Sequence, residues 1–258
     1  MTFAEKREKR LHGTVALVTG GAVRIGRALA LALAGHGARV ALHYGNSAEA
    51  ASEAVAVIRE QGGDALAIPA DLRDHSQTEG LMEKAAAYFG KVDLLVNSAA
   101  LFLPGGVNDT TASAWDEQFA VNLKAPFFLS QAFARHVGIE RTGQIVNIAD
   151  WRGVSPDPRY LAYSLTKAGI VTLTTCLALA LAPNIRVNAI APGAILPPPG
   201  RDESYLDGLG KRIPLRRHGD PDDVATALLY LATAEFVTGQ VLFVDGGEHL
   251  GSDAKTMP

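Results

Sequence analysis

Cysteine is the scarcest informative residue: the 258-residue chain has one, Cys176. A single cysteine excludes an internal disulfide framework and fits a reducing compartment, so we expect a cytoplasmic protein. Cys176 lies within the apolar run VTLTTCLALALA. That setting predicts a small buried side chain in the core.

Long apolar runs and an excess of either charge are also missing. The richest apolar run, Leu173 to Ala182, has about half the ~20 residues that cross a bilayer. The charged N-terminus MTFAEKREKRLHG lacks the apolar segment of a signal peptide. With 24 basic and 27 acidic residues, the net charge of −3 argues against nucleic-acid or membrane partners. We expect a soluble protein with a flexible extension, residues 1–12, and one domain, residues 13–258.

Short β-branched runs alternate with Ala- and Leu-rich helical runs along the whole chain. Thr14 to Gly20 is typical of a buried strand, and Arg24 to Gly37 of a helix that ends at glycine. This alternation predicts an α/β fold, a single doubly wound Rossmann domain with a parallel sheet and helices on both faces. In such sheets ligands bind at the carboxyl ends of the strands.

The stretch TGGAVRIG, Thr19 to Gly26, follows the first predicted strand and opens the first predicted helix. Glycines there allow a tight turn and a close approach of the backbone to a pyrophosphate at the helix N-terminus. Arg24 stands where a third glycine is expected, and its guanidinium can reach phosphate oxygens or a substrate. We therefore predict a dinucleotide site.

The second predicted strand ends in LHYGNS and contains no acidic residue. NAD-selective sites usually place an acid there to hold the ribose 2′-hydroxyl. Its absence favours NADP(H), with His43, Asn46 and Ser47 as donors. NAD(H) stays possible, because this loop offers no arginine for the 2′-phosphate.

A tyrosine and a lysine lie one helical turn apart, at Tyr163 and Lys167, and project from the same face. A neighbouring ammonium is expected to lower the pKa of the phenol toward the working range of a general acid. Thirteen residues before the tyrosine stands Asp150. An ionised carboxylate only accepts hydrogen bonds, so Asp150 argues against a plain carbonyl reductase. It suits a substrate with N–H groups, or a C=N bond whose nitrogen is protonated as hydride reaches carbon.

The ordered set of motifs resembles the short-chain dehydrogenase/reductase family from Thr14 to about Gly247. Besides the glycine-rich turn and the Tyr-x-x-x-Lys pair, it includes ADL, NSAA, VNLKAPF, RVNAIAPG and TGQVLFVDGG. The resemblance implies a seven-stranded parallel sheet in the order 3-2-1-4-5-6-7, and a homotetramer or homodimer. It also implies a set of cofactor-binding positions: Gly20, Arg24, Ile25, Gly26, His43, Tyr44, Asn46, Ser47, Asp71, Leu72, Asn97, Ala99, Tyr163, Lys167, Pro192, Gly193 and Ile195.

Within that family the chain is similar to the pteridine reductases. The shared features are Arg24 in the glycine-rich turn, the pair His43 and Tyr44, Asp150, and Phe102 just past the Asn motif. The resemblance implies that a pterin lies between Phe102 and the nicotinamide. It implies the catalytic residues Asn122, which holds a relay water, Asp150, Tyr163 and Lys167, and the substrate-binding residues Arg24, Phe102, Asp150 and Tyr163. No metal site is expected.

Two other readings stay open. Ala100 and Asn46 replace a polar and a basic residue of the pteridine reductases, so the substrate could instead be a carbonyl or hydroxyl compound, such as a 3-oxoacyl thioester or small ketone. A cofactor-sensing protein without activity is less favoured, because Tyr163, Lys167 and Asn122 are all present. The loop Ile195 to Glu203, with three consecutive prolines, is expected near the crevice, either as a substrate lid or as plain surface.

Overall fold

A computed structural model describes residues 11–198 and 200–251. Seven strands form one sheet in the order β3-β2-β1-β4-β5-β6-β7, and each neighbouring pair is parallel. This confirms the predicted fold class and strand order. The strands are β1 (Val15–Val18), β2 (Arg39–Tyr44), β3 (Ala65–Pro69), β4 (Leu94–Asn97), β5 (Gly143–Ile148), β6 (Ile185–Pro192) and β7 (Val241–Val244).

Helices connect the strands on both faces of the sheet. In the described part of the chain they are α1 (Arg24–Gly35), α2 (Ala48–Glu60), α3 (His75–Phe89), α4 (Ala112–Phe119), α5 (Ala125–Val137), α6 (Leu161–Leu181), α7 (Glu203–Gly210) and α8 (Pro221–Thr233). A π-helical segment, Ala120–Lys124, joins α4 to α5. Short 3₁₀ turns, Trp151–Gly153 and Glu248–Leu250, follow β5 and β7.

The central strands are apolar because both of their faces are buried. All four residues of β1 have zero exposure, and their side chains alternate between two core layers. Ala16 and Val18 join one layer with residues of α1 and α8, whereas Val15 and Leu17 join the other with residues of α3 and α5. The sheet therefore holds its carboxyl ends, where the candidate site lies, on a rigid two-sided core.

The packed part of the chain begins earlier than predicted. Leu11, assigned above to the flexible extension, is buried in the core, and its carbonyl accepts a hydrogen bond from the Thr14 amide. The His12 ring lies within 2.8 Å of where a side chain on Gly37 would begin. These contacts place Leu11 and His12 within the packed domain. The rest of the predicted extension lies outside the described residues.

Helix α6 corrects two expectations. Among the described residues it is the one helix long and apolar enough to cross a membrane by length and composition. The run Leu173 to Ala182 considered in the sequence covers only its C-terminal part, so its full length was not expected. The core helix of a soluble protein passes the same test, and α6 packs against β6 and buries Lys167. Cys176 lies on its exposed side, so the prediction of a buried cysteine is wrong.

Candidate active site

Asp150 and Tyr163 meet at the carboxyl end of β5. The Tyr163 hydroxyl donates a hydrogen bond of 2.9 Å to Oδ2 of Asp150. Oδ1 of Asp150 accepts the main-chain N–H of Arg152 at 2.9 Å, which begins the 3₁₀ turn after β5 and aims the carboxylate at the phenol. The Tyr163 side chain is buried, and the Asp150 side chain is 15% exposed. The structure thus brings a carboxyl and a phenol into direct hydrogen-bonding contact.

The electrostatics of Tyr163 differ from the sequence expectation. Burial and the neighbouring Asp150 carboxylate raise the pKa of Tyr163 well above its ordinary value, and Arg152 opposes them weakly. The predicted lowering of this pKa by Lys167 is wrong for this arrangement, because the Lys167 ammonium lies 5.6 Å from the phenol ring centroid while Asp150 binds the hydroxyl directly. Tyr163 is therefore held as a protonated phenol, the form that can give up a proton.

Lys167 is buried beneath this pair. Its Nζ donates a 2.7 Å hydrogen bond to the carbonyl of Ile148, the last residue of β5. Burial lowers the pKa of Lys167 to about 8, with Asp150 acting in the opposite direction. An ammonium has three donors, so further N–H groups can serve a ligand hydroxyl or the phenol oxygen.

Asn122 lies in the π-helical segment, a form of helix often found at functional sites. Its side chain accepts the Leu101 amide at 2.7 Å, donates to the Leu101 carbonyl at 2.9 Å, and donates to Thr166 Oγ1 at 3.2 Å. These bonds fix the loop that carries Phe102 to the helix that carries Tyr163. The water-holding role predicted for Asn122 stays a prediction.

Phe102 contacts two tyrosines. Its ring stacks on Tyr160 with centroids 4.3 Å apart and planes 10° apart, and it meets Tyr163 nearly at right angles, with centroids 4.7 Å apart. Phe102 therefore lies next to Tyr163, and its predicted stacking on a substrate stays a prediction. Because Tyr160 already covers one face, a flat substrate must use the opposite face or displace Tyr160, which the expected sandwich did not include.

Three residues near Asp150 escaped the sequence reasoning: Arg152, Tyr160 and Glu248. The Arg152 guanidinium lies 3.4 Å from Asp150 and 4.7 Å from the ring centroid of Trp151. Burial raises the pKa of Glu248, whose Oε2 accepts the Ala194 amide beside the Pro192-Gly193 turn. The available signal was their position, since Arg152 and Tyr160 lie between the two candidate catalytic residues in sequence.

The glycine-rich turn brings the ends of β1 and β4 close together. A side chain on Gly20 (φ +64°) would begin 2.9 Å from Ala99 Cα, and one on Gly26 would begin 2.1 Å from the Gly20 carbonyl oxygen. The next turn of chain starts α1 at Arg24, which is itself left-handed (φ +54°), and Ile25 packs against the core. Arg24 donates a 2.8 Å hydrogen bond to the Pro197 carbonyl, so it links this turn to the Pro-rich loop.

The predicted role of His43 at the 2′-phosphate is wrong. Its ring is buried, Nδ1 accepts the Gly20 amide at 3.1 Å, and Nε2 faces the Ala70 carbonyl at 3.1 Å. Burial also lowers the pKa of His43, so the ring is neutral and supports the glycine-rich turn from below. Tyr44, the last residue of β2, is half-buried, Asn46 is exposed, and Ser47, which precedes α2, is half-buried.

The remaining predicted cofactor residues lie at or just after the ends of β3, β4 and β6. Asn97 is buried and donates to Asn147 at 2.8 Å, so its side chain ties β4 to β5. Its Oδ1 has no hydrogen-bond partner among the described residues, and its predicted cofactor contact stays a prediction. Asp71 binds Arg73 through both carboxylate oxygens, and Leu72 is buried. Pro192 ends β6, a side chain on Gly193 would meet Asp245 at 2.7 Å, and Ile195 is buried. The N–H groups of Gly193 and Ala194 already bind the Val244 carbonyl and Glu248 Oε2.

Comparisons with known proteins agree with this geometry. Residues 20–249 match the family model described as enoyl-(acyl carrier protein) reductase. The chain is 38% identical to versicolorin reductase stcU of Emericella nidulans, over 92% of this chain and 96% of that protein. It is 34% identical to the 3-oxoacyl-[acyl-carrier-protein] reductase of a Synechocystis strain, over 92% and 97%.

The crystal structure of FolM alternative dihydrofolate reductase 1 from Brucella canis, complexed with NADP, superposes with a TM-score of 0.91. It is 34% identical, and the match covers 97% of this chain and 99% of that one. The chain belongs to the short-chain dehydrogenase/reductase family. This short-chain dehydrogenase/reductase is an NAD(P)-dependent oxidoreductase.

The residues present fit a dinucleotide. The close approach of Ala99 leaves no room for a side chain at Gly20, and α1 begins at Arg24, directly after this turn, so its first main-chain N–H groups lie beside it. The buried ammonium of Lys167 lies at the same edge of the sheet. A bound nicotinamide would supply the hydride there.

Proposed function

We propose that this enzyme is an NADP(H)-dependent reductase of a C=N bond in a pterin or a similar heterocycle. The single observation that carries the proposal is the 2.9 Å hydrogen bond from the Tyr163 hydroxyl to Asp150. Supporting it is the similarity to a protein whose name is alternative dihydrofolate reductase, since a folate contains a pterin ring.

The chemistry requires one hydride at carbon and one proton at nitrogen, which turns C=N into CH–NH. Asp150 and Tyr163 hold a proton between them, and this pair delivers it to the ring nitrogen. Lys167, positively charged below its pKa of about 8, offsets the negative charge that remains on the pair. A proton from solvent then restores the phenol.

The same arrangement disfavours a ketone. In the family a serine commonly stands where this chain has Asp150, and a hydroxyl donates to the oxygen on which negative charge develops. A carboxylate at that position repels an alkoxide and competes for the Tyr163 proton. An N–H of a heterocycle, by contrast, is a donor that a carboxylate accepts.

The direct test is the wild-type enzyme with NADPH and a panel containing a dihydropterin, dihydrofolate, an acetoacetyl thioester and small ketones. Loss of NADPH absorbance gives kcat/KM for each. We expect the dihydropterin or dihydrofolate to exceed every ketone. A thioester that exceeds both heterocycles would sink the proposal.

A reductase of a carbonyl substrate is the second candidate. The observation that favours it is the identity of 34–38% to proteins named for 3-oxoacyl-[acyl-carrier-protein] and versicolorin reduction. Tyr163 and Lys167 would serve that reaction as well. Asp150 is the residue that separates the two candidates, and its substitution is argued in the Discussion.

NADP(H) is the proposed cofactor because the β2–α2 turn offers donors and no acid. Asn46 is exposed there, and Ser47 caps α2 without a side-chain cap bond, so its hydroxyl and the helix N-terminus are available to a 2′-phosphate among the residues described. FolM of Brucella canis was crystallised with NADP. The neutral, buried His43 takes no part.

Asn46→Asp should lower the ratio of NADPH to NADH affinity by about 10- to 100-fold, because a carboxylate would face the 2′-phosphate dianion and accept from a 2′-hydroxyl instead. Fluorescence titration of both cofactors measures the ratio. Ser52→Asp adds the same charge farther along α2, on an exposed position, and should change it by less than about 3-fold. An unchanged ratio in Asn46→Asp would remove this turn from cofactor selection.

We also propose a homodimer or homotetramer that covers the outer face of α6. Leu165 and Leu179 are 47% and 79% exposed there, beside Cys176. A helix this apolar with only 33% of its most apolar window buried leaves surface that a second copy can cover. Leu179→Glu should lower the mass measured by light scattering to that of a smaller species, whereas Leu250→Glu, on an equally exposed residue outside α6, should not.

A further inference from the structure

The Arg152 guanidinium has more donors than its neighbours use. Nη1 approaches Asp150 Oδ1 at 3.4 Å, beyond the usual length of a charge-assisted hydrogen bond, and Nε lies 3.8 Å from Asp157. Nε is buried and has no hydrogen-bond partner among the residues described. The side chain is nevertheless held in place, at 18% exposure. The proton transfer described above does not use it.

The surrounding carboxylates do not explain why Arg152 is held here, because each already has other hydrogen-bond partners. Asp157 is already paired with Arg159, whose two nitrogens bind both of its carboxylate oxygens at 3.0 and 2.8 Å. Asp150 already accepts a main-chain N–H and the Tyr163 hydroxyl. Glu248, the third carboxylate that acts on Arg152, accepts the Ala194 amide.

Arg152 lies beside the aromatic rings of the candidate site. The carbon at the centre of its guanidinium lies 5.5 Å from the Phe102 centroid and 5.6 Å from the Tyr160 centroid, so it stands alongside this stacked pair. Tyr163 hydroxyl, Asp150 carboxylate and Arg152 guanidinium therefore form a row next to Phe102. In that row an acceptor and a donor lie side by side.

In a dihydropterin the carbonyl oxygen lies next to the ring nitrogen that is protonated during reduction. With the Tyr163–Asp150 pair at that nitrogen, the neighbouring Arg152 guanidinium can donate to the carbonyl oxygen. A heterocycle with an amino group in place of that oxygen presents a donor to the guanidinium, which has no lone pair to accept it. The row thus distinguishes oxo from amino heterocycles.

We propose that Arg152 is a specificity-determining residue that binds the substrate carbonyl oxygen next to the ring nitrogen that Tyr163 and Asp150 protonate. This inference rests on the proposed function and narrows its substrate class to oxo-heterocycles. It predicts that removal of the guanidinium weakens an oxo ligand and spares its amino counterpart.

The test compares wild type, Arg152→Met, Arg152→Lys and Arg159→Met. Binding of dihydrobiopterin and of diaminopteridine to the enzyme saturated with NADP⁺ is measured by titration, and dihydrobiopterin turnover with NADPH is measured separately. Arg159→Met is the matched control. Arg159 is the other arginine that binds Asp157, and its side chain is 81% exposed. Thermal unfolding and NADPH affinity verify that each variant is folded.

Arg152→Met should weaken dihydrobiopterin binding about 10- to 100-fold and diaminopteridine binding by less than about 3-fold. Arg152→Lys should recover part of the loss, and Arg159→Met should change neither ligand by more than about 3-fold. An equal loss for both ligands would overturn the inference and leave Arg152 a structural role. If Arg152→Met selectively loses dihydrobiopterin binding but the wild-type enzyme does not reduce dihydrobiopterin, the proposed function alone is overturned. A wild type that does not bind dihydrobiopterin would overturn both.

Discussion

Asp150→Ser is expected to lower kcat/KM for a dihydropterin by about 100- to 1,000-fold and to raise it for a ketone or 3-oxoacyl thioester. The substitution removes the carboxylate that accepts both the substrate N–H and the Tyr163 hydroxyl. The ring nitrogen is then no longer oriented, and it no longer receives the proton that Asp150 and Tyr163 share. The serine hydroxyl donates instead to a carbonyl oxygen and frees the Tyr163 proton for it. Steady-state NADPH oxidation with both substrates gives the two ratios.

Asp150→Asn is the matched control for that substitution, because it keeps the shape of the side chain and removes its charge. It should lose heterocycle reduction nearly as completely as serine and should gain less ketone reduction. If Asp150→Asn kept heterocycle reduction within a few-fold of wild type, the carboxylate would be dispensable. The oxidoreductase would then remain without an assigned substrate class.

Tyr163→Phe is expected to have the largest effect of any single change, a loss of about 1,000-fold or more in kcat with NADPH affinity within ~2-fold of wild type. The substitution removes one hydroxyl from a buried ring and keeps its contact with Phe102. Because burial and Asp150 hold the pKa of Tyr163 well above its ordinary value, the phenol keeps its proton across the neutral range. The alkaline decline of wild-type activity should instead follow Lys167, whose ammonium is lost above about pH 8.

Tyr160→Phe provides the control, since it removes a hydroxyl from the neighbouring tyrosine and preserves the stack on Phe102. It should retain activity within about 3-fold. Comparable losses in the two phenylalanine variants would mean that the aromatic cluster, and no particular hydroxyl, supports catalysis. The kcat of both variants at saturating NADPH settles this.

The fold could be predicted from the sequence because buried parallel strands and amphipathic helices each have a distinct apolar pattern. The carboxyl ends of β1, β4 and β5 then had to converge, and the pairing of Asp150 with Tyr163 followed from their positions after β5 and at the start of α6. The predicted NADP(H) dependence is in line with the neighbours crystallised with that cofactor.

The errors share one cause: the direction of a side chain relative to its neighbours is set by three-dimensional packing. His43 turns inward to bind the Gly20 amide, although it stands near the end of a strand that faces the crevice. Cys176 lies in an apolar run whose helix buries only its other side.

The same cause explains what was missed at the site itself. Burial of Tyr163, together with the Asp150 carboxylate bonded to its hydroxyl, raises the pKa of Tyr163 and so reverses the expected shift. Tyr160 pairs with Gly105 in an isolated β-bridge and stacks on Phe102, a long-range contact that no sequence motif marks. Arg152 gives no motif signal, and its importance is visible only from the rings and carboxylates around it.

The central claim is that Asp150 and Tyr163 act as one proton-donating unit toward a ring nitrogen. A double-mutant cycle in dihydropterin reduction measures this most directly. The cycle needs kcat for wild type, Asp150→Asn, Tyr163→Phe and the double variant. A shared unit predicts that the double variant is no slower than Tyr163→Phe within about 3-fold. Losses that multiply would show that the carboxyl and the phenol act independently and would contradict the account.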